Sequence, residues 1–491
     1  MYKFKLEGNY YNGKFNKYDK SSHYSVCNIV KSAPYDENLK LWSLDIFHDN
    51  LDQIIESSVS GFNYWKKISI EDRINYLKKY QKILTDRKED IATTISFETG
   101  KPYWEALTEA SALIAKVDTT INDSLPRIKN QTIENIAENT TGYITHFPIG
   151  PSLIIGPFNF PCHLANTQIL ASLITGNSII FKPSEKTSLS GQLLIECFHK
   201  AEFPKGVINL IQGTGKTVKE LLKYKEIKGV FFTGSKEVGL QILDSTYRDL
   251  SKQVSLELGG KNSSIIDETV NIDDILDELK TACFLTAGQR CTSTAFLFVH
   301  KSKCDEIIEK FHKTAKNITI GSPFDEGKPF MGPLIDKKSM DNYLLFMGMA
   351  KRENIEEVMR GKALQKETQG NFVTPSIHFA KTYNDKSHFL SNEIFGPNCT
   401  IIPYDNIEEA VSMVNKSEYG LASSIFTTNE LRFKYALENI ETGLVNWNRS
   451  TCGASAKLPF GGIKNSGNYH PAAVSTIDYT MYAKSSLAKK I

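Results

Sequence analysis

The chain lacks most of the patterns that would send it to a specialised class. Its eight cysteines are scattered over 491 residues with no CxxC pair. That argues against a disulfide framework or a zinc cage and fits a reducing cytoplasm. The ten histidines are equally dispersed and form no HExxH, so no metal is expected. An excess of either charge is missing: 58 Lys plus Arg face 56 Asp plus Glu, a net charge of +2. Such a chain has no electrostatic reason to seek nucleic acid or an anionic membrane. Long apolar runs are absent too. The longest, around residues 153–155 and 169–181, are broken by Gly, Asn and Ser, and neither reads as a membrane span. Met1–Leu6 has no apolar signal core, so a cytoplasmic protein is expected. There is no internal repeat or low-complexity tract.

What is present is an ordinary globular composition, 41% hydrophobic and 23% charged. At roughly 150 residues per domain the length suggests about three domains, or two large ones. The first 150 residues read as mainly helical. Ser69 and Asp72 suggest an N-cap, and Ile74, Leu77, Ile83, Leu84, Ile91 and Ile95 recur at helical spacing. Residues 122–147 are polar and end in a strand-like Gly142–Phe147. From residue 152 short apolar strands alternate with helices: strands at 152–155, 178–182, 207–211 and 229–233, helices at 161–175 and 191–200. A second series follows Gly260, with strands at 263–266 and 294–299 about a helix near 272–285. The expected fold class is α/β, two Rossmann-like domains meeting in a cleft, with ligands at the carboxyl ends of the strands.

Individual motifs carry little by themselves. Gly213-Thr-Gly215-Lys-Thr resembles the end of a P-loop, but Leu210 stands where the first Gly belongs, which excludes that reading; a plain strand-to-helix turn is the alternative. Lys182 and Glu185 at a strand end suit ribose hydroxyls or a solvated turn. Phe232-Thr-Gly234-Ser235 opens a helix, either as a pyrophosphate cradle or with Ser235 as an N-cap. Cys291 is a small buried hydrophobe or a nucleophile; Gly288 before it permits a close backbone approach, and Arg290 adds positive charge that favours thiolate. Glu257, between Leu256 and Leu258, is an alternating strand residue or a base poised by burial. Asn159, before Pro161, is a turn residue or an amide aimed at an oxyanion. Glu393 could hold a sugar hydroxyl and Phe395 could wall a flat ring.

Taken in order, Asn159 in Pro-Phe-Asn-Phe-Pro, Lys182-Pro-Ser-Glu185, Phe232-Thr-Gly-Ser235, Glu257-Leu258-Gly-Gly, Gly288-Gln-Arg-Cys291, Glu393-Ile-Phe-Gly-Pro397 and Pro459-Phe-Gly-Gly462 closely resemble the aldehyde dehydrogenase superfamily. The resemblance spans almost the whole chain. It implies that Cys291 attacks the aldehyde, Asn159 and the Cys291 backbone N–H hold the oxyanion, hydride passes to NAD, and Glu257 activates the water that frees the acid. It further implies that Lys182 and Glu185 hold the adenosine ribose, that Ser235, with Gly234, Phe232, Gly213, Gly215 and Leu258 around it, receives the rest of the dinucleotide, and that Glu393 and Phe395 lie at its nicotinamide end. By the same resemblance residues 1–121 and 148–256 form the NAD-binding domain, 257–445 the catalytic domain, and 122–147 and 471–491 bridging strands of a homodimer or dimer of dimers.

Residues 95–102, 445–449 and 467–471 are similar to the subgroup that oxidises N-succinylglutamate 5-semialdehyde, in arginine breakdown. Ser293-Thr294, Ser450 and Tyr469-His470 depart from that subgroup's pattern. A substrate with several carboxylates should meet a cation, and Arg449 is the candidate. The alternatives are another semialdehyde or aliphatic aldehyde, a CoA-acylating reaction, against which Glu257 argues, and a non-catalytic role.

Overall fold

A computed structural model of the chain describes residues 4–16 and 25–489. Met1–Lys3 of the leading segment and the last two residues of the 471–491 segment lie outside the described residues.

The first sheet collects β1 (Asn9–Tyr11), β2 (Lys14–Asn16), β3 (Ser152–Ile155), β4 (Ile179–Lys182), β5 (Ile208–Leu210), β6 (Gly229–Thr233) and β7 (Gln253–Glu257), in the order β7-β6-β3-β4-β5-β1-β2. β3, β4 and β5 are buried at every residue, as strands covered on both faces must be. β7 through β5 run parallel, while β1 joins β5 antiparallel. The chain moves outward from β3 through β4 to β5, then returns to the other side of β3 for β6 and β7. The carboxyl ends of β3 and β6 therefore flank a topological switch point, where doubly wound sheets leave a crevice.

The second sheet contains β8 (Asn262–Ile266), β9 (Thr294–His300), β10 (Glu356–Met359), β11 (Ser376–Phe379), β12 (Asn398–Tyr404), β13 (Ala422–Phe426) and β14 (Leu444–Trp447), ordered β10-β11-β12-β9-β8-β13-β14. All neighbours are parallel except β10 with β11. Each sheet has apolar cores packed against it, one set around Phe181, Phe198 and Phe231, the other around Phe296, Phe298 and Tyr343. The fold is α/β with two parallel-sheet units.

From residue 152 to 300 the expected strands and helices lie within a few residues of the observed ones, whereas the expected bridging segments 122–147 and 471–491 hold helical turns, at Thr120–Ser124, Leu125–Ile128 and Val474–Tyr479, before their long strands. Ser69 caps the helix Ile70–Asp86, its hydroxyl accepting from the Asp72 N–H at 3.1 Å. The opening fifty residues are a correction. The described ones among them hold β1, β2 and a hairpin of Cys27–Ala33 with Asp36–Ile46, not helix. A third sheet pairs Thr140–Pro148 with Gln131–Ala137 on one side and Met481–Lys489 on the other, all antiparallel. Its flat outer residues, including Ile133, Ile136 and Leu487, are exposed.

Candidate active site

A cavity of about 1690 Å³ opens at the switch point, between the two sheets. It is larger than the roughly 300–1,000 Å³ of a site for one drug-sized ligand, which leaves room for a long ligand and a small one together. Asn159 reaches it from the loop after β3, Lys182 from the end of β4, Phe232, Gly234 and Ser235 from the end of β6, Glu257 from the end of β7, and Cys291 and Glu393 from the second sheet's loops.

Cys291 is set by its loop. Thr286, Ala287 and Gly288 all have positive φ, at 58°, 54° and 67°, so the chain reverses tightly before the thiol. At Gly288 a Cβ would sit 2.2 Å from the Gly396 carbonyl oxygen, so only glycine fits. The Asn262 side-chain amide donates to the carbonyls of Cys291 and Ser293, at 2.7 and 2.9 Å, and fixes the loop from β8. Burial pushes the Cys291 thiol well up, and the nearby Glu257, Glu393 and Cys452 push the same way. Arg290 opposes them and loses. Its guanidinium is bound to Glu105 at 2.7 Å and lies over the Phe160 ring, so much of its charge is already compensated. Arg290 thus favours thiolate in direction, as its place beside Cys291 suggests, but burial and the neighbouring acids outweigh it.

Glu257 lies near enough to Cys291 to bear on its ionisation. It is 5% exposed, Oε1 is buried without a hydrogen-bond partner, and burial raises its carboxyl well above the ordinary range. Gly461 makes room for it, since a Cβ there would lie 2.8 Å from Oε1. Asn159 is 6% exposed, and its amide donates to the Gln289 carbonyl at 2.9 Å. One of its two N–H groups remains for a ligand. Its own carbonyl accepts from the Lys101 ammonium at 2.8 Å, and Lys101 is paired in turn with the buried Glu109 at 2.7 Å. Asn262, Gln289, Glu105, Lys101 and Glu109 were given no role from the sequence, although Gln289 and Lys101 lie within quoted motifs, because each acts through a contact with a residue distant in the chain.

On the other side of the cavity, Lys182 and Glu185 form an ion pair at 3.1 Å, the ammonium buried and the carboxylate half-open. Ser235 caps the helix Lys236–Thr246, accepting from the Val238 N–H at 3.4 Å, and also lines the cavity. A Cβ at Gly234 would lie 2.3 Å from the Phe232 ring. Leu258 and Gly215 line the cavity as well. Gly213 does not line it. A Cβ there would collide with Thr217 at 2.2 Å, because Thr214 and Thr217 form the cap of the helix Gly215–Leu221; Gly213 is needed for packing. Glu393 accepts from the Gly260 N–H at 3.0 Å, and burial lifts its carboxyl to about 7. Phe395, at φ 54°, meets Phe158 edge to face at 5.8 Å. Arg449 is exposed and does not line the cavity.

A thiol, an unpaired buried carboxyl and a free amide thus share one cavity with a set of donors suited to a long ligand. The family model of the aldehyde dehydrogenase family matches residues 29–485. The chain belongs to the aldehyde dehydrogenase family. Among its relatives is the N-succinylglutamate 5-semialdehyde dehydrogenase of Novosphingobium aromaticivorans, 34% identical over 439 residues, 88% of this chain and 91% of that protein. The protein of the same name from Legionella pneumophila is 34% identical over 431 residues, covering 87% and 85%. Solved structures of this family share the fold. The Thermus 1-pyrroline-5-carboxylate dehydrogenase with bound NAD superposes with a TM-score of 0.90 at 24% identity, over 99% of this chain and 93% of that one. Staphylococcus aureus betaine aldehyde dehydrogenase in complex with NAD+ gives 0.92 at 24%, over 99% and 95%. Among the described residues no helix is long and apolar enough to cross a membrane.

Proposed function

We propose that this aldehyde dehydrogenase oxidises N-succinylglutamate 5-semialdehyde to N-succinylglutamate with NAD. The observation that carries the chemistry is the convergence of Cys291, Glu257 and Asn159 on one cavity. The substrate's name comes from the curated relatives at 34% identity.

The Cys291 thiol gives its proton to Glu257, whose carboxyl is raised by burial and lies close enough to act on the thiol's ionisation. The sulfur attacks the aldehyde carbon, and a C–S bond forms as the carbonyl π electrons move to oxygen. The Asn159 amide and the Cys291 backbone N–H hold that oxyanion; one such donor is worth about 3–4 kcal/mol in a transition state. The dinucleotide supplies the hydride acceptor, and loss of hydride from the carbon leaves a thioester on Cys291. Glu257 gives the thiol's proton up to solvent; the freed carboxylate then takes a proton from water, the hydroxide adds to the thioester carbon, and the C–S bond breaks with Cys291 leaving as thiolate. A CoA-acylating reaction would need no such base.

The residues present fit a dinucleotide. Lys182 and Glu185 suit ribose hydroxyls, the helix Lys236–Thr246 opens its N-terminus into the cavity behind Ser235, and Glu393 stands at the thiol end. The half-open Glu185 carboxylate disfavours the extra phosphate of NADP. We also assign the three-stranded sheet of Gln131–Ala137, Thr140–Pro148 and Met481–Lys489 to contact between subunits, as a dimer or dimer of dimers. A panel of semialdehydes, each run with NAD and NADP, tests the substrate and the cofactor together. A kcat/KM for N-succinylglutamate 5-semialdehyde no better than for a simple aliphatic aldehyde would overturn the substrate.

A further inference from the structure

The cavity has a second end, away from the dinucleotide side. It is walled by two helices, α1 (Tyr103–Thr119) and α2 (His163–Ile174). α1 is anchored near the thiol, where Glu105 holds Arg290, the neighbour of Cys291. Glu109, one turn on, accepts from the N–H groups of Cys162 and His163 at 3.2 Å each and so ties α1 to the start of α2. From there α1 continues along the cavity through Ala112 and Ala115 to Lys116.

Lys116 is 4% exposed and lines the cavity. Among the described residues its ammonium has no hydrogen bond or ion pair. The other buried cations near the thiol are committed: Lys101 to Glu109, Arg290 to Glu105. The two alanines before Lys116 keep its approach open. Beside it, the His163 ring lines the same wall with a buried Nδ1 that has no partner. Burial first, then the Lys116 and Lys101 charges, hold that imidazole far down, at about 3, so it is neutral and carries one N–H. Burial lowers the Lys116 ammonium only to about 8, so it stays mostly charged at neutral pH. An unpaired buried cation is costly to a fold. Its natural partner is an anion brought in by the ligand.

We propose that Lys116, with His163 beside it, is the seat for a carboxylate at the far end of the aldehyde substrate. This rests on the aldehyde-oxidising reading above and narrows it by length. Lys116 lies eleven residues beyond Glu105 on α1, about 16 Å along the axis at 1.5 Å per residue. The side chains of Glu105 and Lys116 both lean back toward the N-terminus, so most of that axial separation stays between the ammonium and the thiol end. An extended chain covers about 3.3–3.6 Å for every three backbone bonds. The distal carboxylate of N-succinylglutamate 5-semialdehyde is eight bonds from the aldehyde carbon, or about 9 Å, while that of succinic semialdehyde is three bonds away, about 3.5 Å. With the C–S bond to Cys291 and a hydrogen bond to the ammonium added at its two ends, the first extends toward the seat and the second falls far short of it.

The test compares N-succinylglutamate 5-semialdehyde with N-butyrylglutamate 5-semialdehyde, which has the same length without the distal carboxylate. In Lys116→Met the KM of the succinyl substrate should rise relative to the butyryl analogue by about 10- to 100-fold, the worth of a charge-assisted hydrogen bond. Lys116→Arg should recover most of that ratio. A parallel rise for both compounds, or no change in the ratio, overturns the seat. Calorimetric binding of N-succinylglutamate itself reads the seat without turnover. Binding at least tenfold weaker in Lys116→Met supports it even if the wild-type enzyme prefers a different carboxylate-ended aldehyde, in which case the substrate reading fails and the seat stands. Equal affinity in wild type and Lys116→Met overturns the seat whatever the enzyme oxidises.

Discussion

The buried pair of Lys101 and Glu109 offers the sharpest separation of stability from catalysis. Both side chains are essentially excluded from solvent, at 1% and 0% exposure. Removing one partner leaves an uncompensated buried charge, which costs about 3–5 kcal/mol. At roughly 2–4 °C per kcal/mol for a domain of this size, Lys101→Met or Glu109→Leu alone should lower the melting midpoint by about 6–20 °C. The double variant Lys101→Met/Glu109→Leu has no orphaned charge. It loses the bonds that Glu109 accepts from Cys162 and His163, at about 0.5–1.5 kcal/mol each, so its loss should fall well short of the sum of the singles. Catalysis behaves differently, because Lys101 also holds the Asn159 carbonyl. Every variant without Lys101 lets the Asn159 amide drift. An oxyanion donor is worth about 2.7–4 kcal/mol, and about 1.36 kcal/mol is tenfold in rate, so kcat should drop at least tenfold with a ceiling near 10³. The assay is thermal melting by circular dichroism alongside NADH formation on one enzyme preparation. If the double variant melts as low as the two single losses added together, or regains wild-type kcat, the account of this pair is wrong.

Cys291→Ala should abolish aldehyde oxidation while calorimetry still detects dinucleotide binding. Glu257→Gln should slow the first release of NADH, since the thiol loses its base, limit it to one equivalent per subunit and then stall at the thioester; steady turnover would remove Glu257 from the deacylation step. Because burial raises the Glu257 carboxyl, its ionised fraction, and with it deacylation, should climb with pH through a midpoint above the ordinary carboxylate range. The same shift means that the folded state binds this proton more tightly than the unfolded state. Its contribution is full at low pH and is lost as pH rises through the raised value, so Glu257→Gln should gain melting temperature over wild type at pH 8 and not at pH 4. Gly288→Ala must place a Cβ against the Gly396 carbonyl in a left-handed conformation, and should cost most of the activity through a displaced Cys291 loop. Replacing Glu185 by Gln should narrow the preference for NAD over NADP by about tenfold, as one cofactor-facing negative charge is removed; an unchanged ratio would acquit Glu185.

The sequence determined the alternation of strands and helices from residue 152, because parallel strands covered on both faces are written as short continuous apolar runs such as Ile179–Lys182. It also marked Cys291, Glu257 and Asn159, since each stands in a local motif that survives as a string. It was least legible over residues 9–46, where short edge strands and a bulged hairpin owe their form to what they pack against rather than to any period. Tertiary structure alone decided the electrostatics. Arg290 reads as an activator of the thiol until Glu105 arrives from α1, 185 residues away, to occupy it. Arg449 reads as a substrate cation until the fold leaves it outside, and Lys116 becomes a candidate only because no acid among the described residues comes to meet it. A charge's effect depends on its distance to every other charge and on the water it loses, and neither quantity is written in the order of the residues.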